Sequence, residues 1–370
     1  MKDAMIGRRE FLSLPLVAAW QAGEEAFTPL TGWVVADGPE SAFEVRGGEV
    51  AVQPHASWPC WLRTEKSYEN FELMGEFLID GWNDSGIYLH APLHGYPTDA
   101  GIQIKLFHQQ EAEPNAYSCG AVFPVIAPKK VAVRKGWNGF RILADDPALR
   151  VWINGELVQD LNQRTHPELR DRLRSGPIGI AAASAPMRFR ALRVRELPGR
   201  ETWRVLYGKP EDLEANWRPT VGKPVAAAIG GVLRLDGEGL LGTKERFRDF
   251  HLQCYVRGCP QHNSGVIFRS AGKGTNPQYA YEVQLHPVPE AHFPTGSLYH
   301  FKRAKYPRIE DEKWFLFELR VQGRDCKVRI NGETVMEYSF LMRTEAGFIE
   351  LQAHRPGYWV EFKQIRIQTL

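Results

Sequence analysis

Residues 149–158 read LRVWINGELV, and residues 326–335 read CKVRINGETV. In both stretches apolar and polar residues alternate on either side of an Asn-Gly pair. That pattern spells two antiparallel strands joined by a two-residue turn. Both central residues of a type I′ turn need positive φ, which Asn and Gly tolerate. The signal occurs twice, 177 residues apart.

Working outward, the rest of the chain repeats with it. Residues 83–89 (NDSGIYL) match 262–268 (HNSGVIF), strand 101–107 (GIQIKLF) matches 280–285 (AYEVQL), and Trp137 matches Trp314. The offsets run from 177 to 179 residues, so a unit of roughly 170 residues has been duplicated. A chain of 370 residues suits two domains, each large enough to bury a core without a disulfide or metal. Apolar content of 43% and charged content of 24% describe a globular protein. A net charge of +2 supplies no global attraction to nucleic acid or anionic membrane. Arginines 188, 190, 193 and 195 alternate with Phe189, Leu192 and Val194, which reads as the solvated side of a strand.

Period-2 alternation dominates both halves, as in Phe71-Leu73-Gly75-Phe77 and Phe315-Phe317-Leu319-Val321. Turn residues punctuate it, and only the short stretches 166–174 and 209–215 look helical. The expectation is an all-β protein of two tandem antiparallel β-sandwiches, each a jelly roll. The boundary falls near 196–202 (ELPGRET), giving domains at 27–198 and 199–370.

Residues 1–26 read differently. Arg8-Arg9-Glu10-Phe11-Leu12 leads into a short apolar run ending in small residues, the pattern of a twin-arginine export signal, with Gly7 a departure from the usual Ser or Thr. The expected location is periplasmic or secreted, and no later segment is long and apolar enough to span a membrane. Five cysteines form no CxxC pair, and a bridge between Cys254 and Cys259 would span an awkward five residues.

Alternation also sorts side chains to the side of each central strand opposite the core. In the first copy these are Tyr88, His90, Gln103, Lys105 and Phe107; in the second they are Ile267, Arg269, Glu282, Gln284 and His286. If the sheet is concave, they line its groove.

These residues resemble a known family. The order Phe71-Glu72-Leu73, Asp84-Ser85-Gly86-Ile87-Tyr88-Leu89, Trp137-Asn138 and Val151-Trp152-Ile153-Asn154-Gly155 is similar to that of 3-keto-disaccharide hydrolase domains. So is the second run, Asn263-Ser264-Gly265-Val266-Ile267-Phe268-Arg269, Tyr281-Glu282-Val283-Gln284, Thr295-Gly296-Ser297-Leu298-Tyr299 and Leu351-Gln352-Ala353-His354. The family shares the concanavalin A-like lectin/glucanase jelly roll. The second copy keeps the family's polar positions at Arg269, Glu282, Gln284 and His354. The first has His90, Gln103, Lys105 and Ala183 there. The resemblance therefore implies chemistry in the second domain and a packing or sugar-binding role for the first.

It also implies cleavage of a glycoside whose sugar carries a ketone at C3. The ketone acidifies the C2 proton, so the C1 substituent can leave by elimination before water adds back. That route needs a base, a cation or donor for the enolate, and an acid for the leaving oxygen. Glu282 or His354 is the candidate base, Arg269 the candidate cation, and His286 a reserve acid. Gln284, His286, Tyr299, Tyr88, Gln103 and Lys105 are candidate sugar contacts. Competing structural readings are a cross-strand Glu282–Arg269 ion pair and a loop-capping His354. No HExxH or similar spacing marks a metal site; a divalent metal acting as Lewis acid on the ketone is compatible with the chemistry. A glucanase of this fold would usually show paired Glu residues alternating on one strand, and neither copy has that pattern. The alternative function is a non-catalytic tandem carbohydrate-binding module, for which Trp82, Tyr88, Tyr96, Tyr299 and Trp359 are among the aromatic candidates.

Overall fold

The computed structural model describes residues 27–55, 59–108 and 113–370. The export signal expected in residues 1–26 lies outside them. The chain divides into two compact units. One comprises residues up to Leu89, Gln103–Arg170 and Ile178–Gly199; the other comprises His90–Ile102, Asp171–Pro177 and Arg200–Leu370. Each unit is dominated by antiparallel β-structure, so the chain is all-β with two tandem β-sandwich jelly rolls.

In the first repeat a six-stranded sheet runs Trp33–Asp37, Trp61–Tyr68, Gly176–Ala181, Asp84–Leu89, Ile102–Phe107, Val122–Phe123. A second, eight-stranded sheet is built around Asn70–Ile79, Gly136–Asp145 and Met187–Leu197. Core residues such as Phe71, Leu73, Phe77, Ile104, Leu106, Ile142 and Val151 come from alternate strand positions and are completely or almost completely buried. That is what period 2 dictates when one side of a strand is packed.

The second repeat has the same strand sequence with one continuity. Strand Val232–Thr243 pairs with Val360–Thr369 through 232–235 and with Phe348–Ala353 through 239–242. It therefore passes from one layer to the other, bending at Gly237 and Gly239, whose φ of +83° and +145° need glycine. In the first repeat the corresponding stretch is broken into Glu49–Val52 and Trp61–Tyr68.

The duplicated sequence produces duplicated backbone. Asn154 and Asn331 have φ of 51° and 49°, and their glycines both 85°. Ile153 faces Glu156 and Ile330 faces Glu333 across the two-residue turns. Each Asn side chain does a second job: its Oδ1 accepts from Gly139 N in one copy (3.0 Å) and Leu316 N in the other (2.9 Å), tying the turn to the neighbouring strand. His90 and Arg269, at equivalent strand ends, share a left-handed φ of 50° and 48°.

One expectation is revised here. Residues 166–174 form successive turns instead of a helix: Leu173 N donates to Ala100 O, far away in the chain, and the Arg172 side chain donates to Asp99 O and Gly101 O. The second short stretch does form a helix, at Glu211–Asn216. All five cysteines are free and buried, so Cys254 and Cys259 are not bridged. The basic run is paired with acids: Arg188 with Glu49, Arg190 with Glu76 and Arg195 with Glu72. No helix among the described residues is long and apolar enough to cross a membrane.

Candidate functional site

In both repeats the Ser-Gly pair of the central strand has a two-part role. Ser85 Oγ donates to Ala181 O and Ser264 Oγ to Gln352 O, each at 2.7 Å, stitching the central strand to its neighbour. The glycine then leaves a floor for a side chain from the next strand. A Cβ on Gly265 would lie 2.2 Å from Glu282 Oε1, and one on Gly86 would lie 2.4 Å from Gln103 Nε2. The acid of the second copy and the amide of the first thus occupy equivalent seats.

Glu282 is 5% exposed, and among the described residues no hydrogen bond or ion pair engages its carboxylate. Burial pushes its pKa up to about 7. An ordinary surface carboxylate would be fully ionised at neutral pH; this one is poised to take and return a proton.

Three of the predicted residues lie along the same strand or on its edge partner. The edge segment 295–299 pairs with Tyr281–Leu285 through Tyr299 N to Glu282 O (2.9 Å) and Gln284 N to Ser297 O (2.9 Å). This brings half-buried Tyr299 beside the acid, its ring packed edge-on to Phe293. Gln284, two residues along the same side, donates to Asn263 Oδ1. His286 follows, with Nδ1 2.8 Å from His262 O. His262 itself is buried, which lowers its pKa, and its Nε2 has no partner.

The structure does not bring Arg269 to this cluster. Its guanidinium is fully buried and bonded to Arg248 O (3.2 Å), Arg343 O (2.7 Å) and Asp249 Oδ1 (3.0 Å). The cross-strand Glu282–Arg269 pair expected as the structural alternative is absent from these contacts: Ile267, not Arg269, faces Glu282. His354 is exposed just beyond strand Phe348–Ala353, and no hydrogen bond among the described residues joins it to Glu282.

In the first copy Tyr88 is fully buried and packed edge-on against Trp61 at 5.4 Å, leaving no free ring face for a sugar. Gln103 is buried with Oε1 unpartnered. Lys105 forms a buried ion pair with Asp84, which also accepts from Ser184 Oγ at 2.6 Å.

One residue escaped the sequence reading. Glu350 lies across the central strand from Glu282, both facing Ile267 in register. It is fully buried, and neither carboxyl oxygen has a hydrogen-bond partner among the described residues. Its counterpart by register is Gly179. A position-by-position comparison of the closing strands, Gly176–Ala181 with Phe348–Ala353, would have exposed this substitution. Among the described residues no group of three or more His, Cys, Asp or Glu side chains is placed to hold a metal ion.

Comparison with solved structures gives matches of low identity, each over less than half of this chain. A Parabacteroides distasonis protein described as a candidate glycosyl hydrolase is 18% identical, with 47% of this chain and 95% of that one covered and a TM-score of 0.41. A carbohydrate-binding module from Bacillus subtilis is 13% identical, with 42% and 96% covered and a TM-score of 0.32. The Bacillus licheniformis β-glucanase is 9% identical, with 47% and 100% covered and a TM-score of 0.34. No curated protein matches. The family model for the 3-keto-alpha-glucoside-1,2-lyase-like domain matches twice, over residues 20–195 and 202–368. The chain belongs to that family and carries its domain in tandem.

Proposed function

We propose that the second repeat cleaves a 3-keto-glycoside, with Glu282 as the proton carrier. The observation that carries this reading is a buried, unpaired carboxyl raised to about 7 and seated on a glycine floor. Ionised Glu282 removes the C2 proton, acidified by the neighbouring ketone. Electrons move into the C1–C2 bond as the C1–O bond breaks, and the proton returns to the departing oxygen. Water then adds across the new double bond, completing hydrolysis. One carboxyl can serve as base and then acid when its pKa lies near the working pH. Tyr299 and Gln284 supply the adjoining polar edge for the sugar, and exposed His354 is accessible to a ligand. We further propose export through the twin-arginine motif at Arg8-Arg9, with the double Lys variant retained in the cytoplasm as precursor.

The test is turnover of a 3-keto-glycoside by wild type and Glu282→Gln. The amide keeps shape and reproduces the seat that Gln103 occupies, so a folded variant should lose at least a hundredfold in rate, on the order expected for removing a general base. Wild-type kcat/KM should rise with pH through about 7 as Glu282 ionises. Undiminished turnover in the variant would contradict the assignment. Binding of oligosaccharides without any turnover would favour the tandem binding-module reading instead.

A further inference from the structure

The first repeat has lost the acid, yet it presents an arrangement that the proposed chemistry does not use. Trp82 is 60% exposed and Tyr117 is 61% exposed, unusual for rings of that size. Neither hangs on a loose loop. The Trp82 turn is pinned by Asn83, whose Oδ1 accepts from Asp80 N and Gly81 N at 3.0 Å and whose Nδ2 donates to Pro186 O at 2.9 Å. Tyr117 N donates to Asn115 Oδ1 at 2.8 Å, and Asn115 N to Ser118 Oγ at 2.9 Å. Both rings are therefore held outward before any ligand arrives, which lowers the entropic cost of using them.

Two groups of rings flank one amine. Trp82 packs on Phe107 (6.3 Å) and His108 (4.1 Å), and Tyr117 packs on Phe123 (5.4 Å). Lys105 Nζ lies 5.4 Å from the Phe107 ring and 4.8 Å from that of Phe123. Two buried polar atoms on these residues have no hydrogen-bond partner among the described residues: Gln103 Oε1 and His108 Nε2. His108 Nδ1 donates to Asn83 O at 3.0 Å, since a carbonyl oxygen can only accept. The Lys105–Asp84 pair makes the centre electrically neutral.

We propose that this platform binds a neutral pyranose of an oligosaccharide, making the first repeat a carbohydrate-holding module. Exposed aromatic faces suit the C–H face of a sugar ring, and interleaved donors and acceptors suit its hydroxyl edge. A fixed net charge would point to an ionic ligand, and the ion pair removes it. The inference rests on the carbohydrate-directed reading of the family but not on chemistry at Glu282.

The full-length chain is titrated with cellotetraose, maltotetraose and laminaritetraose by calorimetry and tryptophan fluorescence. Wild type and Glu282→Gln should bind at least one of them equally. Trp82→Ala and Tyr117→Ala, both surface changes, should each weaken that binding about tenfold while leaving kcat on a 3-keto-glycoside unchanged. Unchanged affinity in both aromatic variants, or no binding of any of the three sugars, overturns the proposal. Binding lost in Glu282→Gln but kept in Trp82→Ala puts the sugar on the second repeat and overturns it too. Trp82-dependent binding with no turnover in any protein upholds the platform and removes the catalytic reading.

Discussion

The same cross-strand row on the small sheet is filled in opposite ways in the two repeats. In the first, Gly179 faces Tyr88, and Trp61 lies where a Cβ on Gly179 would come within 2.8 Å of its ring. Next along, Gln103 takes the acid's seat, and Lys105 neutralises Asp84. In the second, Glu350, Ile267 and Glu282 form the row, and the Lys–Asp pair becomes the amide pair Gln284–Asn263. One copy fills the row with an amide, a neutral ion pair and rings; the other retains two buried carboxyl groups without a hydrogen-bond or ion-pair partner among the described residues. Uncompensated burial costs stability. Its survival in one copy marks the place where folding and function pull apart.

The comparison can be broken most forcefully at the glycine floors. Gly265→Ala must displace Glu282 and should lower turnover by roughly hundredfold, the scale of misplacing a catalytic group by an ångström. Gly86→Ala displaces only Gln103 and should leave turnover intact. Equal losses from both would place catalysis in both repeats. Next in size, Arg269→Met removes a buried cation holding two carbonyls and Asp249, so urea unfolding should show a loss of about 3 kcal/mol. The kcat of the folded remainder should be unchanged; a selective fall in kcat would restore Arg269 to the active site. Smaller still, Glu350→Leu replaces an unpartnered buried carboxylate with an apolar side chain and should raise stability by about 1–2 kcal/mol. A destabilised variant would show that Glu350 has a compensating partner after all.

Much of this was legible from residues alone. The Asn-Gly pairs specified their hairpins because few other residues accept two successive positive φ angles. The Ser-Gly motifs marked equivalent central strands, and Glu282 stood out because Gln103 occupies its place. Arg269 was misplaced by the same alternation that succeeded elsewhere. Its φ of 48° and the register shift between Ile267 and Ser270 break the two-residue period, turning its side chain away from Glu282. No sequence pattern announced that a strand would end in a left-handed residue. Residues 166–174 failed for a different reason: their helical propensity was outweighed by bonds to residues far away in the chain. The side-chain partners that decide whether Glu282 is a strut or a proton carrier are likewise long-range contacts, invisible to local pattern.

That last distinction is the centre of the account, and the pH dependence of stability reads it directly. Glu282 has an ordinary value of 4.5 and a folded value of about 7. Between those limits the folded state holds a proton that the unfolded chain has released, so stability falls as pH rises and is lowest above 7. The gap corresponds to about 3 kcal/mol. Urea unfolding of wild type and Glu282→Gln at pH 4 and pH 8 should therefore give the variant an advantage of that order at pH 8, shrinking toward zero at pH 4. A variant less stable than wild type at pH 8 would mean that the carboxylate is a structural strut and would contradict the account.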